Sequence, residues 1–317
     1  MNSQKTIIFM GTAEFAIPSL EKVIKNNYNV LAVVTSTDKP AGRGLKLKES
    51  PIKQFARKNN LKILQPNNLK DQNFINLITN FKPDLIVVVA FRMLPEILWK
   101  IPKYGTINVH ASLLPEYRGA APINWAIING ESQTGVSTFF INNKIDTGDI
   151  IDQSLIEINT NENAADIHDR LMELGGNILI KSLEKIFSNK QVVIKKQIVN
   201  KPLNKAPKLD KLNSKINWHE SSEKIYNKIR GLSPYPGAKS VLDNYDKKIN
   251  VIIYKSSFSN NKHNHPNGLI IIDKGALKVA TFDGYISPLL VKFEGKKTLD
   301  IKSLINGFNF HKRCKMI

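Results

Sequence analysis

The chain has 317 residues, of which 42% are hydrophobic and 23% are charged, a balance typical of globular proteins. This length is sufficient for two domains, each with its own core. No apolar run approaches the roughly 20 residues that span a bilayer, and the N-terminus lacks the pattern of a signal peptide. The single cysteine, Cys314, excludes an intrachain disulfide framework and a cysteine-based zinc site. We therefore expect a cytoplasmic protein without membrane association.

Positive charge is concentrated in the last third of the chain. Residues 201–317 carry 22 Lys/Arg and 9 Asp/Glu, a net charge of +13 out of +19 for the whole chain. A basic module of this kind indicates an anionic partner, and nucleic acid is favoured over membrane. The alternative is compositional, because Lys, Asn and Ile are frequent throughout, as AT-rich coding DNA would produce. Such a bias adds charge without function.

Strand and helix patterns alternate through the first half of the chain. Strands are predicted at residues 6–10, 30–35, 61–64, 84–90, 106–110, 135–142 and 150–158. Helices are predicted at residues 17–25, 51–58, 71–80, 95–99, 121–129 and 164–187. This rhythm predicts an α/β fold with an open, mostly parallel, Rossmann-like sheet. The Gly-x-Gly-x-x-Gly motif is absent and no acidic residue ends the second strand, so we expect no nicotinamide site.

The chain changes character after the long helix. Residues 191–209 are polar and basic without periodicity, which is typical of a linker. An amphipathic helix is predicted at residues 221–231. Short strands separated by Asp, Asn and Gly turns follow at residues 238–242, 249–254, 268–272, 277–281 and 289–293. This pattern predicts a small C-terminal β-barrel of the oligonucleotide-binding (OB-like) kind. We therefore divide the chain into a first domain at 1–190, a linker at 191–209 and a C-terminal domain at 210–317.

The most informative segment runs from residue 108 to residue 123, with the sequence NVHASLLPEYRGAAPI. Alternation along the strand at 106–110 sends Asn108 and His110 to the same face. Asp146 lies in a second turn, with the sequence IDTGD at 145–149. A carboxamide, an imidazole and a carboxylate at strand ends can bind and protonate a developing oxyanion. Each residue alone has an ordinary alternative, namely a structural histidine and turn-forming Asn and Asp.

The joint pattern resembles the signature of the formyltransferases that use 10-formyltetrahydrofolate. Over nearly its whole length the chain is similar to the methionyl-tRNA formyltransferase family. Besides the core, the resemblance rests on FMGTAEFA at 9–16, DKPAGRGLKLK at 38–48 with SPIK at 50–53, APKL at 206–209, INW at 216–218 and IRGLSP at 229–234. The core is shared with relatives that formylate a small amine or hydrolyse formyl-folate. The block at 38–53 and the three motifs between residues 206 and 234, together with the basic tail, favour the tRNA enzyme.

The resemblance implies transfer of the formyl group of 10-formyltetrahydrofolate to the α-amino group of methionyl initiator tRNA, for translation initiation. It implies that Asn108, His110 and Asp146 are catalytic and that the C-terminal domain binds tRNA. The expected folate contacts are Ser112, Leu113, Leu114, Pro115, Ala90 and Asn142. The expected tRNA contacts are Arg43, Lys46, Lys48 and Lys208. We expect no metal ion and a monomeric enzyme.

Two features near these sites have their own interpretation. The loop at residues 40–48 is rich in glycine and cations, so its backbone is pliant and its side chains can grip phosphates. The alternative is an ordinary solvated loop. The fourth strand ends in Ala90, Phe91 and Arg92, where many relatives have Ala-Tyr-Gly. A small-amine formyltransferase, a formyl-folate hydrolase and a non-enzymatic RNA-binding protein on the same scaffold remain as alternatives.

Overall fold

The structure is a computed structural model that describes residues 4–41, 46–188, 192–273 and 275–317. It divides into two compact units. The first comprises Met1–Gly119, Thr134–Ile156 and His168–Lys205, and the second comprises Ala120–Gln133, Glu157–Ile167 and Ala206–Ile317. No helix within the described ranges has both the length and the apolar character that crossing a membrane requires.

Among the described residues up to 188, the chain forms ten strands and six α-helices. The strands are β1 (Thr6–Gly11), β2 (Asn29–Val34), β3 (Lys39–Ala41), β4 (Lys46–Lys48), β5 (Ile63–Leu64), β6 (Leu85–Val89), β7 (Thr106–His110), β8 (Arg118–Gly119), β9 (Gln133–Phe140) and β10 (Ile150–Glu157). The helices are α1 (Ile17–Lys25), α2 (Pro51–Lys58), α3 (Gln72–Phe81), α4 (Glu96–Trp99), α5 (Pro122–Ile128) and α6 (Ala164–Phe187), and a short 3₁₀ helix, Glu14–Ala16, precedes α1.

Seven strands form one sheet in the order β10-β9-β7-β6-β1-β2-β5. The pairs β1–β2, β1–β6, β2–β5 and β6–β7 are parallel, and β9 runs antiparallel to β7. All five residues of β6 are buried, as expected for a central strand covered on both faces. The predicted mostly parallel, Rossmann-like sheet is therefore confirmed.

Helices pack against this sheet where the sequence supplies caps and apolar faces. The side chain of Ser50 accepts the Lys53 N–H at the start of α2, and Asp71 accepts the Phe74 N–H at the start of α3. Helix α6 approaches β7 closely at Gly175, where an added Cβ would lie 3.2 Å from Val109 Cγ1. Val109 thus faces the layer of helix α6, and its neighbours on β7, Asn108 and His110, face the opposite side of the sheet.

The remaining elements are β11 (Lys205–Ala206), α7 (Ser222–Gly231), β12 (Ala238–Asp243), β13 (Lys248–Ser259), β14 (Ile270–Asp273), β15 (Ala276–Ala280), β16 (Tyr285–Phe293), β17 (Thr298–Asp300), α8 (Ile301–Gly307) and β18 (Lys315–Met316). Seven of these strands form an antiparallel sheet in the order β14-β15-β16-β13-β12-β18, with β17 on β16. A bridge between Leu269 and Lys315 nearly closes it into a barrel. Trp218, Ile225 and Ile229 are among the buried residues of its core. The predicted OB-like barrel is confirmed.

Candidate active site

Strand β7 presents Asn108 and His110 at the carboxyl-terminal edge of the parallel sheet, where such folds bind ligands. Asn108 pairs with Val88 of β6 on one side and with Phe139 of β9 on the other. Its side chain is half-buried. Within the described part of the chain, no group makes a hydrogen bond with the Asn108 carboxamide. Its two N–H donors are therefore available to a ligand.

The ring of His110 is fixed at one nitrogen and faces a carboxylate with the other. Nε2 lies 3.0 Å from the carbonyl oxygen of Tyr117, and because a carbonyl only accepts, the Nε2–H donates. Nδ1 lies 3.8 Å from Asp146 Oδ2, which is within ion-pair range but too long for a hydrogen bond. The proton of the neutral ring is therefore on Nε2, and Nδ1 is the basic nitrogen. The structure thus brings His110 of β7 next to Asp146 of another segment, and Asn108, the third residue expected to be catalytic, lies two residues before His110 on β7.

Asp146 lies in a strained and closely packed turn between β9 and β10. Its φ of 53° is in the left-handed region that non-glycine residues rarely adopt. Asp146 Oδ2 accepts a hydrogen bond from the Gly119 N–H at 2.9 Å. A Cβ built on Gly148 would lie only 1.6 Å from the Phe140 carbonyl oxygen, so this position requires glycine. Such strain persists only where the surrounding contacts fix the backbone.

Two side chains that the sequence did not single out adjoin this turn. Gln197 Oε1 accepts hydrogen bonds from Arg118 Nε at 3.1 Å and from Nη2 at 2.6 Å. Gln197 Nε2 donates to the carbonyls of Asp146 and Gly148, at 3.1 and 2.7 Å. Burial lowers the pKa of the Arg118 guanidinium, and the nearby Asp146 carboxylate opposes that shift. Gln197 lies in a stretch without periodicity, so no local signal could have identified it. The only sequence signal for Arg118 was its position within the core motif.

Four of the expected folate contacts are accessible. Ala90, directly after β6, is exposed and has a φ of 48°. Leu113, Pro115 and Asn142 are half-buried. Ala90 follows β6, Leu113 and Pro115 follow β7, and Asn142 follows β9, so these residues offer mainly apolar surface with one carboxamide.

The other two expected contacts, Ser112 and Leu114, are buried at 0% and 3% exposure. Ser112 Oγ donates to the Glu116 carbonyl at 2.7 Å, and the Leu114 N–H donates to Ser137 Oγ at 3.0 Å. Both residues therefore stabilise the turn from within. In the described ranges, no three His, Cys, Asp or Glu side chains are grouped as metal ligands would be.

Arg92, which follows β6, lies close to the loop that follows β5. Its guanidinium donates to the carbonyls of Pro66 and Asn67, the second at 3.0 Å. The guanidinium carbon lies 5.6 Å from the centre of the Phe91 ring. The Arg92 side chain therefore ties the segment after β6 to residues 66–67.

Of the expected tRNA contacts, Lys48 and Lys208 are exposed. Arg43 lies outside the described residues, and Lys46 is described only as a residue of β4. Strands β3 and β4 pair antiparallel and flank the undescribed tip of the basic loop.

The base of this loop is held by a lysine. Lys53 Nζ lies 2.6 Å from Asp38 Oδ2 and 3.5 Å from Glu49 Oε1, so it bridges the residues on either side of the hairpin. The hydrogen bonds from Lys53 and Gln65 lower the pKa of the Asp38 carboxyl. The charge pairing therefore fixes where the basic loop leaves the sheet.

Comparison with known proteins extends this description. The family model described as "Formyl transferase" matches residues 4–183, and "Formyl transferase, C-terminal domain" matches residues 208–309. Among solved structures, an N-formyltransferase from Helicobacter canadensis, in complex with folinic acid and dTDP-3-aminofucose, superposes with a TM-score of 0.63 at 23% identity. It covers 90% of this chain and 98% of its own. A 4-N formyltransferase from Francisella tularensis gives 0.57 at 23% identity, over 74% of this chain and 91% of its own. These likenesses establish the fold.

Sequence relatives are more specific. The methionyl-tRNA formyltransferase of Flavobacterium johnsoniae is 48% identical over 310 residues, covering 98% of each chain. That of Bacteroides fragilis is 44% identical over 314 residues, covering 98% of this chain and 97% of its own. That of Clostridium tetani is 43% identical over 309 residues, covering 96% and 97%. With both domains matched and identity at this level over nearly the whole length, the chain belongs to the methionyl-tRNA formyltransferase family.

Proposed function

We propose that this enzyme transfers the formyl group of 10-formyltetrahydrofolate to the α-amino group of methionine on initiator tRNA, for translation initiation. The observation that carries the proposal is the Asn108 carboxamide, half-buried and without a partner in the described structure, beside the His110–Asp146 pair. A donor available in this position suits an oxygen that becomes negative during acyl transfer. The same three residues argue against an RNA-binding protein without activity.

The accessible residues around this site suit a folate. Ala90, Leu113 and Pro115 offer apolar surface for a flat ring, and Asn142 adds a polar group. Asn142 Oδ1 accepts hydrogen bonds from the Lys144 N–H and from Thr147 Oγ1, each at 2.9 Å, so its orientation is fixed. We assign these four residues to folate contact, and Ser112 and Leu114 to support of the turn.

The two nitrogens of His110 divide the catalytic work. Because Nε2 is committed to the Tyr117 carbonyl, Nδ1 is the nitrogen that exchanges a proton with the substrates. The Asp146 carboxylate at 3.8 Å stabilises the imidazolium that forms. Asn108 is then the primary donor to the oxyanion, and protonated His110 is the second.

The proton balance follows from this division. When bound, 10-formyltetrahydrofolate supplies the formyl carbon, to which the methionyl amine forms a new C–N bond while the bond to the folate nitrogen breaks. His110 Nδ1 accepts the proton that the attacking amine loses and returns it to the departing nitrogen. Asn108 stabilises the negative oxygen between these steps.

The tRNA is held by positive charge. We assign phosphate contacts to Arg43, Lys46 and Lys48 of the loop and to Lys208, and a wider attraction to residues 201–317, whose net charge is +13. We propose a catalytic domain at 1–190, a linker at 191–209 and a tRNA-binding domain at 210–317. The enzyme is expected to act as a cytoplasmic monomer, which size-exclusion chromatography with light scattering would test.

The proposal is tested by the transfer of labelled formyl groups from 10-formyltetrahydrofolate to charged initiator tRNA. Glycinamide ribotide serves as the competing small amine, and uncharged initiator tRNA serves as the negative control. We expect formylation of the charged tRNA alone. Transfer to glycinamide ribotide, or release of free formate without an acceptor, would replace the proposal by one of the two related activities.

A further inference from the structure

The segment between the two domains is attached to the first unit. Lys195 exchanges two main-chain hydrogen bonds with Ile150, both at 2.8 Å. Nine residues later, the Asn204 N–H donates to Glu116 Oε2 at 2.8 Å, and its carbonyl accepts the Tyr117 N–H at 2.7 Å. We call residues 195–204 the strap. Neither family model includes the strap, since they match residues 4–183 and 208–309.

Gln197 lies within the strap and uses its whole hydrogen-bonding capacity. A carboxamide has two N–H donors and an oxygen with two lone pairs. In Gln197 both lone pairs accept from Arg118 and both donors bind the carbonyls of Asp146 and Gly148. Only one orientation of the amide satisfies these partners, because the opposite one would place its oxygen against two carbonyls and its N–H groups against a cation.

These contacts connect the turn that contains Asp146 to residues 118–119, of which Gly119 binds the Asp146 carboxylate. One connection is the Gln197 amide, which joins Arg118 to the turn. The other is the hydrogen bond from the Gly119 N–H to Asp146 Oδ2 at 2.9 Å. Since Asp146 has a φ of 53°, its backbone needs such contacts to keep its position. Together they hold the carboxylate 3.8 Å from His110 Nδ1.

We propose that Gln197 is a positioning residue for the reaction, and that the strap supports the active site through this side chain. Gln197 touches neither reacting atom. It acts through the main chain of Asp146 and through Arg118, and so this inference rests on the proposed function. Loss of its hydrogen bonds allows the turn to move, and a displacement near 1 Å costs on the order of a hundredfold in rate.

The test compares three single variants of the full-length enzyme. Gln197→Met keeps the length and volume of the side chain but removes all four hydrogen bonds. Gln197→Glu keeps the acceptors for Arg118 but presents oxygen to the two carbonyls. Ile198→Met places the same new side chain at the next position, which is 72% exposed, and is the control.

For each variant, kcat and KM for the folate donor are measured with charged initiator tRNA, and the ring-proton signals of His110 are recorded by NMR. We expect Gln197→Met and Gln197→Glu to lower kcat by about tenfold to a hundredfold with little change in KM for folate. The His110 signals should shift in both, and Ile198→Met should resemble the parent. If Gln197→Glu shows the same loss of kcat and the same shift of the His110 signals as Gln197→Met, then the two N–H groups that Gln197 donates to the turn carry the role.

Two results would overturn the inference. One is a kcat for Gln197→Met within about twofold of the parent, and the other is a loss of activity that follows thermal stability with unchanged His110 signals. The NMR comparison needs no substrate. An inactive parent enzyme would therefore count against the proposed function, while the His110 signals of Gln197→Met would still decide whether Gln197 positions the site.

Discussion

Replacement of Asn108 and replacement of His110 should affect the stability of the protein differently, because, of the two side chains, only that of His110 makes a hydrogen bond with another described residue. The Asn108 carboxamide has no hydrogen-bond partner among the described residues, so Asn108→Ala deprives none of these residues of a hydrogen bond. His110 is 7% exposed and donates to the Tyr117 carbonyl, so His110→Ala removes a hydrogen bond and leaves a cavity. Both variants should lose turnover, but only the second should lose stability.

The magnitudes follow from the roles. Removal of one donor to an oxyanion costs about 2.7–4 kcal/mol in the transition state, or roughly 10²–10³ in kcat. For His110→Ala, the lost hydrogen bond adds about 0.5–1.5 kcal/mol of destabilisation before the cavity is counted. At about 2–4 °C per kcal/mol for a unit of this size, its Tm should fall by several degrees, while that of Asn108→Ala should hardly change.

The assay is single-turnover and steady-state formylation of charged initiator tRNA at saturating folate, with thermal unfolding followed on the same samples. Folate binding should survive in both variants because other residues line that surface. Full turnover by Asn108→Ala under saturation would refute its role as the oxyanion donor. Equal Tm values for the two variants would refute the structural contrast between them.

The remaining predictions concern the Asp146 turn, the base of the basic loop and the basic surface. Gly148→Ala should abolish most activity, because its Cβ would lie 1.6 Å from a carbonyl oxygen, whereas Gly307→Ala, with nothing within 4 Å, should leave initial rates unchanged. Hydrogen bonding to Lys53 lowers the pKa of Asp38 in the folded protein. The pair therefore stabilises the fold at pH values above the pKa of an unfolded aspartate, about 3.9, and this contribution is lost as the pH falls below that value. Asp38→Asn should accordingly lower Tm at neutral pH more than near pH 3, and an equal loss at both would contradict this account. KM for charged tRNA should rise steeply between about 50 and 200 mM salt while KM for folate stays nearly constant, and parallel curves would mean that the basic charge is compositional.

Regular elements with a clear period were predictable from the sequence. Helix α6 begins and ends at the predicted residues, 164 and 187, because apolar positions recur at helical spacing over its whole length. The alternation of β7 placed Asn108 and His110 on one face, opposite Val109. In such elements the alternation of buried and exposed positions repeats within a few residues, which is the range that a sequence pattern covers.

Several short elements were missed, and two of them illustrate different reasons. Helix α8 carried a signal, since Asp300 caps it by accepting the Ser303 N–H at 3.0 Å and Leu304 is buried within it. The β3–β4 hairpin carried none, because its residues, KPA and KLK, have the composition of a solvated loop. Lys53 joins the two ends of this hairpin by its ion pairs with Asp38 and Glu49, and no local pattern encodes these contacts.

The sequence singled out candidate residues for the site, but it did not predict their geometry. The commitment of His110 Nε2 to a main-chain carbonyl, which makes Nδ1 the reactive nitrogen, depends on how the turn after β7 folds back. Gln197 is 51 residues from Asp146 and binds main-chain carbonyls, which every residue type possesses. A contact with a main-chain carbonyl does not require any particular side chain at the partner position, so the sequence carries no sign of it. A polar stretch without periodicity therefore has the same appearance whether it is a free linker or is bound to a domain. Polar residues in apparent linkers should therefore be examined wherever a functional carboxylate lies in a left-handed backbone conformation, because such a turn needs support from elsewhere in the chain.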